Sequence, residues 1–294
     1  MVAQATTSPG IIRDYIDLTK PRIISLLLVT AVGGMFLAQK GVPDPLTALL
    51  VIVGGYLAAG GAHALNHYLE RDLDQAMRRT RRRPVATGRV SPQQAMVFGI
   101  VLNVAAFVLL ASFVNLLAAA ITLSGTLIYV FVYTIALKRS TPQNIVIGGA
   151  AGAVPPMVGW VAITGSLDLP AIYLFAIIFF WTPPHFWALA MLIRDDYARA
   201  GVPMLPVVAS LSETKRQILL YTFILLALTT MFYTTGELGV VYLVGSVTLG
   251  AYFSYRAWRV KRSDGLHGVR GLYLYSLLYL ALLFLVIMVD SSIA

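Results

Sequence analysis

Uncharged apolar runs of about 20 residues, the length that crosses a bilayer as a helix, recur along the whole chain. They fall near 23–39, 46–65, 94–113, 116–137, 143–164, 169–193, 217–235, 238–255 and 271–289. The pattern predicts nine transmembrane helices in an all-α bundle forming a single domain over residues 1–294. Gly, Pro, Thr and Asn interrupt several runs, which a bundle tolerates where neighbouring helices satisfy the freed backbone groups. A membrane barrel would show short alternating strands instead.

The polar positions orient the bundle. Cytoplasmic loops collect Lys and Arg, and alternating the loops between two sides places 21 of the 22 basic residues on one side, leaving only Lys40 opposite. The N-terminus is therefore expected in the cytoplasm and the C-terminus outside. The chain is 58% hydrophobic and 12% charged, against roughly 25% charged in soluble domains. Its net charge of +9 follows from topology, with anionic lipid as the natural neighbour and no need for nucleic acid. With no cysteine, disulfides and thiolate sites are excluded. The first twenty residues lack a signal-peptide core, and Asp14 and Asp17 argue against a transit peptide, so a bacterial plasma membrane is the expected location.

Function is expected on the inner face, where the loops after spans 2 and 6 are long and polar. Their separation by four spans suggests two similar halves. In "NHYLERDLDQAMRRTRRRP" (66–84), a helix continuing past Leu65 carries Asn66, Glu70 and Asp74 at i, i+4 and i+8, about 40° apart in turn. His63 lies within about 60° of Asn66, while Asp72 points the other way. Such hard oxygen donors suit Mg²⁺, which takes a few carboxylates and completes its shell with phosphate. Pairing of these acids with the adjacent arginines is the competing reading.

A second acidic site, Asp195 and Asp196 in "MLIRDDYARAGVPMLPVV" (191–208), tips the balance. Two acidic clusters on one membrane side, ringed by cations, read as a clamp for a magnesium diphosphate. Arg22, Arg82, Arg83, Lys138 and Arg139 are candidate phosphate partners, although each also fits simple inside-positive topology. Lys138 is the strongest, since it closes span 4 just after Tyr133. His185, between Trp181 and Trp187 and just after Pro183 and Pro184, fits a haem-iron ligand or a proton-transfer group. A histidine bonded to a carbonyl freed by the prolines fits equally. No nucleotide loop, zinc-protease motif or nucleophile elbow occurs.

Four segments carry a family resemblance: the early "DLTKPR", "NHYLERDLDQAMRRTRRRPVATGRVSP", "YTIALKRSTPQNIVIGGAAGAVPPMVGW" and "WTPPHFWALAMLIRDDYARAGVPMLPVV". The chain resembles the intramembrane prenyltransferases of the UbiA type, and within them the protohaem IX farnesyltransferases. The resemblance implies nine helices and transfer of a farnesyl group from farnesyl diphosphate to a vinyl group of haem b, giving haem O. It implies Mg²⁺ held by Asn66, Glu70, Asp74, Asp195 and Asp196. The candidate diphosphate partners read from the residues themselves are Arg22, Arg82, Arg83, Tyr133, Lys138 and Arg139, and the haem-binding candidates are His185, His63 and Trp181. Glu70 stands where the family motif has aspartate, His67 replaces the aspartate after the asparagine, and Ile193 replaces an earlier aspartate of the second motif. By analogy a haem A synthase is a partner. A quinone or chlorophyll precursor as prenyl acceptor is the alternative, and a transporter is disfavoured because the spans are nearly free of ionisable groups.

Overall fold

A computed structural model describes residues 10–293. Residues 1–9 and Ala294, which belong to the expected single domain, lie outside that range. Among the described residues the regular elements are all helical. A short amphipathic helix α1 (Ile11–Thr19) precedes α2 (Pro21–Gln39) and α3 (Pro45–Leu69); α4 (Arg71–Ala76), α5 (Pro92–Phe113) and α6 (Leu116–Leu127) follow. The α6 helix runs on without a break as a π-helix over Ile128–Leu137. Then come α7 (Asn144–Thr164), α8 (Leu169–Leu192), α9 (Arg194–Arg199), α10 (Leu205–Val208), α11 (Leu211–Phe232), α12 (Val240–Arg262) and α13 (Val269–Ile293).

Each expected span thus coincides, within a few residues, with a continuous helical stretch. Among the described residues eight stretches are long and apolar enough to cross a membrane. The ninth, α12, has 23 residues, but its last two turns carry Arg256, Arg259, Lys261 and Arg262, which shortens its apolar part to Val240–Tyr255. Large apolar side chains are exposed along the spans as well as buried between them. Val97, Val101, Val104 and Val108 form an exposed stripe on one face of α5 at helical spacing, the lipid-facing side.

The helix ends follow from local chemistry. Proline occupies the first turn of α2, α3, α5 and α8, where its missing N–H costs nothing. Asp44, Ser91, Asn115 and Ser210 cap the starts of α3, α5, α6 and α11 by accepting from backbone N–H groups. The start of α12 has no local side-chain cap. The buried Asp290 of α13 supplies one instead, accepting from Gly239 N at 2.5 Å and Tyr242 N at 2.9 Å.

Close backbone approach binds the bundle together. A Cβ at Gly34 would strike the Pro156 carbonyl and one at Gly159 the Ala31 carbonyl, so α2 and α7 cross with their backbones in contact. Between α3 and α5 a Cβ at Gly61 would lie 2.7 Å from Gly99 O, and one at Gly99 2.8 Å from Gly61 O. Small residues at such crossings are how membrane helices gain packing without a hydrophobic drive between them. The α8 helix is the most enclosed span, with 67% of its apolar window buried, and packs on α7, α11 and α13.

The two halves share a device. Both α3 and α8 end at a residue bent out of helix, Glu70 (φ −104°, ψ 16°) and Ile193 (φ −120°, ψ 29°), and each bend leads into a six-residue helix, α4 or α9. Their flanks meet in one apolar cluster of Leu73, Met77, Tyr197, Val202 and Met204, with Ile145 and Ala190 beneath.

Replacement of Gly159 by leucine is expected to destabilise the protein by roughly 1–3 kcal/mol or more, because backbone cannot yield as a side chain can. Gly152→Ala, where a Cβ meets nothing within 4 Å, serves as the control. Melting in detergent checks this, and equal midpoints for the two variants would contradict the backbone contact.

Candidate active site

The bend at Glu70 hardly disturbs the predicted face. The i to i+4 bonds persist across it, Glu70 N to Asn66 O at 2.9 Å and Asp74 N to Glu70 O at 2.8 Å. Asn66, Glu70 and Asp74 are consequently buried together, at 2%, 3% and 2% exposure. Asp72 points away and is exposed, paired with both guanidinium nitrogens of Arg139 at 2.7 Å. That fork holds the Asp72 carboxyl below the usual carboxylate range.

Each buried group meets its own cation. Lys20 Nζ donates to Asn66 Oδ1 at 2.9 Å, Lys138 pairs with Glu70, and Arg83 grips both oxygens of Asp74 at 2.7 and 2.9 Å. The cations come from three separate segments: the α1–α2 junction, the end of the π-helix, and the loop after α4. Lys20 is placed there by a left-handed backbone (φ 55°) between α1 and Pro21. Desolvation in this crowded mouth, reinforced by the Arg83 charge, holds its ammonium well below the usual lysine range against the pull of Glu70 and Asp74.

The π-helix explains how Lys138 arrives. Nine residues separate Tyr129 from Lys138, about two and a half turns of α-helix, which would put them on opposite faces. In a helix bonded i to i+5 the same nine residues make roughly two turns. Tyr129, Tyr133 and Lys138 therefore share a face: the tyrosine rings stack at 5.6 Å and Lys138 Nζ lies 5.5 Å from the centre of the Tyr133 ring. On the neighbouring face Thr134 accepts from Asn66 Nδ2 at 3.3 Å while its own hydroxyl donates to Tyr129 O at 2.8 Å. His63 continues the aromatic ladder inward, edge-on to Tyr129 at 5.5 Å.

The second acidic site is arranged differently from the first. Asp195 is exposed, whereas Asp196 is mostly buried and paired with Arg199 three residues on. Tyr197, absent from the sequence-level candidates, is the buried member that reaches the first cluster: it packs with Leu73 and Met77. Burial raises its phenol above the ordinary value, with Tyr133 adding to the shift. Arg22 and Arg82 stand exposed on the rim. Lys20, Thr134 and Tyr197 are the site members that sequence reasoning missed. Lys20 carried one available signal, a lysine in "TKPR" directly before a helix-starting proline.

His185 lies buried deeper in the bundle, stacked on Trp181 with ring centres 4.3 Å apart, and its Nδ1 is 2.7 Å from Ser276 Oγ of α13. His63 and His67, also buried, have no hydrogen-bond partner on either ring nitrogen among the described residues.

These residues fit a cation that takes oxygen ligands. Among the described residues no three acidic or imidazole groups form a metal cage by themselves. The amide oxygen of Asn66 and the carboxylates of Glu70 and Asp74 are hard donors of the kind Mg²⁺ takes, one or two carboxylates at a time with water and phosphate completing its shell.

Fold and mouth together define a polytopic helical membrane protein whose polar chemistry is gathered at one end of the bundle. Comparison with known proteins narrows that class: residues 27–277 match the UbiA prenyltransferase family, and the chain belongs to that family. It is 51% identical over 281 residues to the Protoheme IX farnesyltransferase of Gloeobacter violaceus, covering 95% of this chain and 92% of that protein. It is also 51% identical over 282 residues to the protein of the same name from a Roseiflexus species, covering 96% of this chain and 53% of that protein. The chain spans about half the length of the Roseiflexus and Chloroflexus relatives it matches. Solved structures share the fold. A structure of digeranylgeranylglyceryl phosphate synthase superimposes with a TM-score of 0.80 at 17% identity, over 96% of this chain and 99% of that one. A UbiA homolog from Archaeoglobus fulgidus bound to GPP and Mg²⁺ gives 0.67 at 17% identity, over 93% and 99%.

Removing one partner of a buried pair costs more than removing an exposed one. Arg83→Met, which leaves the Asp74 carboxylate buried and unpaired, is expected to cost roughly 3–5 kcal/mol. Arg139→Met, at the exposed Asp72, is expected to cost less than about 1 kcal/mol. Thermal or denaturant unfolding in detergent compares them, and equal losses would contradict the burial of the Asp74 pair.

Proposed function

We propose that this protein transfers a farnesyl group from farnesyl diphosphate to a vinyl group of haem b, producing haem O, in a Mg²⁺-dependent reaction at the cytoplasmic side of a bacterial inner membrane. The observation that carries the reading is the alternation of signs in the mouth: Asn66, Glu70 and Asp74 on one buried face, each matched to a different cation. A magnesium diphosphate presents both signs as well. With such a ligand bound the carboxylates would face the metal, leaving Lys20, Lys138 and Arg83 to donate to phosphate oxygens. The names of relatives half identical in sequence supply the acceptor, and the Archaeoglobus homolog's ligands are consistent with the metal and diphosphate.

Asn66, Glu70 and Asp74 would hold Mg²⁺, with Asp195 and Asp196 contributing from the second loop. When bound, the metal neutralises charge on the leaving diphosphate. Lys20, Lys138 and Arg83 stabilise the same developing charge through preorganised donors. Arg22, Arg82 and Arg139, nearer the rim, draw the anion in. As the bond to diphosphate breaks, positive charge spreads over the allylic carbons, and the stacked faces of Tyr133 and Tyr129 offer a π surface to it. The apolar spans accommodate the isoprenoid and keep water from the cation. The haem vinyl group then attacks to form the new carbon–carbon bond. Water adds to the resulting cation and loses a proton, leaving a hydroxyethylfarnesyl substituent. His185, His63 and Trp181 contact the haem.

The test is to incubate purified protein with haem b, farnesyl diphosphate and Mg²⁺ and to look for farnesylated, hydrated haem by mass spectrometry, with a chelator control. Product is expected only with the metal. Asp74→Asn and Glu70→Gln are each expected to lower kcat/KM by about 10²-fold or more, the scale of losing a major charge-stabilising group. Near-normal rates in both variants would overturn the clamp, and prenylation of an aromatic quinone precursor in place of haem would overturn the acceptor.

A further inference from the structure

The environment of His185 fixes more than its position. Trp181 stacks on the imidazole (16° between planes), and Tyr273 of α13 also stacks on it, with ring centres 5.0 Å apart and planes at 28°. Phe186 meets it edge-on at 5.4 Å. Trp181 is itself held to α13, its Nε1–H donating to Ser276 O at 2.8 Å. The fully buried Ser276 hydroxyl lies 2.6 Å from Tyr273 O and 2.7 Å from His185 Nδ1. Ser276 Oγ–H is placed to donate to the Tyr273 carbonyl, and with its one proton so used the serine oxygen accepts from Nδ1–H. In the neutral ring the remaining lone pair then sits on Nε2. No hydrogen bond among the described residues engages Nε2, and His185 keeps 7% of its surface exposed. Among the described residues His63 and His67 make no such bond.

We propose that Ser276, with Tyr273 and Trp181, is a positioning set that locks His185 as the Nδ1–H tautomer and presents Nε2 as the axial ligand to the iron of the haem substrate. The inference rests on the haem reading above. Iron-ligating histidines are oriented in this way, by donating the far N–H to an oxygen, and loss of that outer bond typically weakens metal affinity 10–100-fold. The neutral imidazole with one free nitrogen is the ligating form. The serine and tyrosine come from α13 and the histidine from α8, so the contact also ties haem binding to the packing of the two helices.

The experiment titrates haem b into the purified full-length protein, ferric and ferrous, and reads absorbance, electron paramagnetic resonance and the iron–histidine stretch by resonance Raman. Wild-type protein is expected to show a histidine-ligated iron. Ser276→Ala is expected to weaken haem affinity 10–100-fold and shift the iron–histidine band, while farnesyl diphosphate binding, measured alongside, reports that the variant is folded. His185→Gly is expected to lose the histidine signature and regain nitrogen ligation with added imidazole. Absence of the iron–histidine band in wild-type protein that binds and farnesylates haem would overturn the inference and leave the proposed function standing. Unchanged affinity and spectra in both variants would overturn it in the same way. Failure of wild-type protein to bind haem at all would remove the proposed function and this inference together.

Discussion

A carboxylate at the edge of a bilayer must find a cation or well-placed N–H donors or lose its charge, and that requirement organises this protein. Removing an ion from water into a protein interior costs several kcal/mol even after relaxation, and only a well-placed partner with further hydrogen bonds offsets it. The partners of Glu70, Asp74 and Asn66 come from segments far apart in sequence, Lys138, Arg83 and Lys20. A further buried carboxylate, Asp14 of α1, is met by Arg89 at 2.9 Å from the loop before α5. These pairings fix the α1–α2 junction, the loop after α4 and the end of span 4 against the same end of α3. The glycine contacts deeper in the bundle set how closely the helices that deliver them can approach.

The same pairings leave the site internally neutralised and able to exchange partners. A permanent apolar pocket would bind the isoprenoid but repel the diphosphate, and an unpaired cluster of cations or acids would be too costly to hold together beside lipid. Alternating signs satisfy the resting protein and would match the proposed ligand, a metal–anion pair. The π-helix belongs to this logic. It costs regular bonding over Ile128–Leu137, yet only that change of pitch brings Lys138 under Tyr133 and Tyr129 while Thr134 meets Asn66.

The spans, the shared face of Asn66, Glu70 and Asp74, and the opposite orientation of Asp72 were legible in the sequence because run length and helical period report on them directly. Lys20 was hidden by its company: among 21 basic residues assigned to one membrane side, a lysine with a specific partner looks like any other. The π-helix left no mark, since "IYVFVYTIAL" is as apolar as any neighbouring span. In lipid the inward and outward faces are both apolar, so hydrophobic pattern does not show which side of a helix meets the core. The Ser276–His185 and Asp290–Gly239 contacts, 91 and 51 residues apart in sequence, arise from packing alone. Asp195 and Asp196 read as a pair in sequence but diverge because α9 turns successive residues to different sides, leaving Asp195 exposed and Asp196 against Arg199.

The exchange of partners in the mouth is the central claim, and equilibrium binding of farnesyl diphosphate to the purified protein without haem, across a range of Mg²⁺ concentrations, tests it most directly. If the carboxylates must leave their cations for the metal before the cations can serve the phosphates, affinity should fall by about 10²-fold or more, about 2.7 kcal/mol, when Mg²⁺ is chelated. Equal affinity with and without the metal would show that the cations bind the diphosphate while still paired, and would contradict the account.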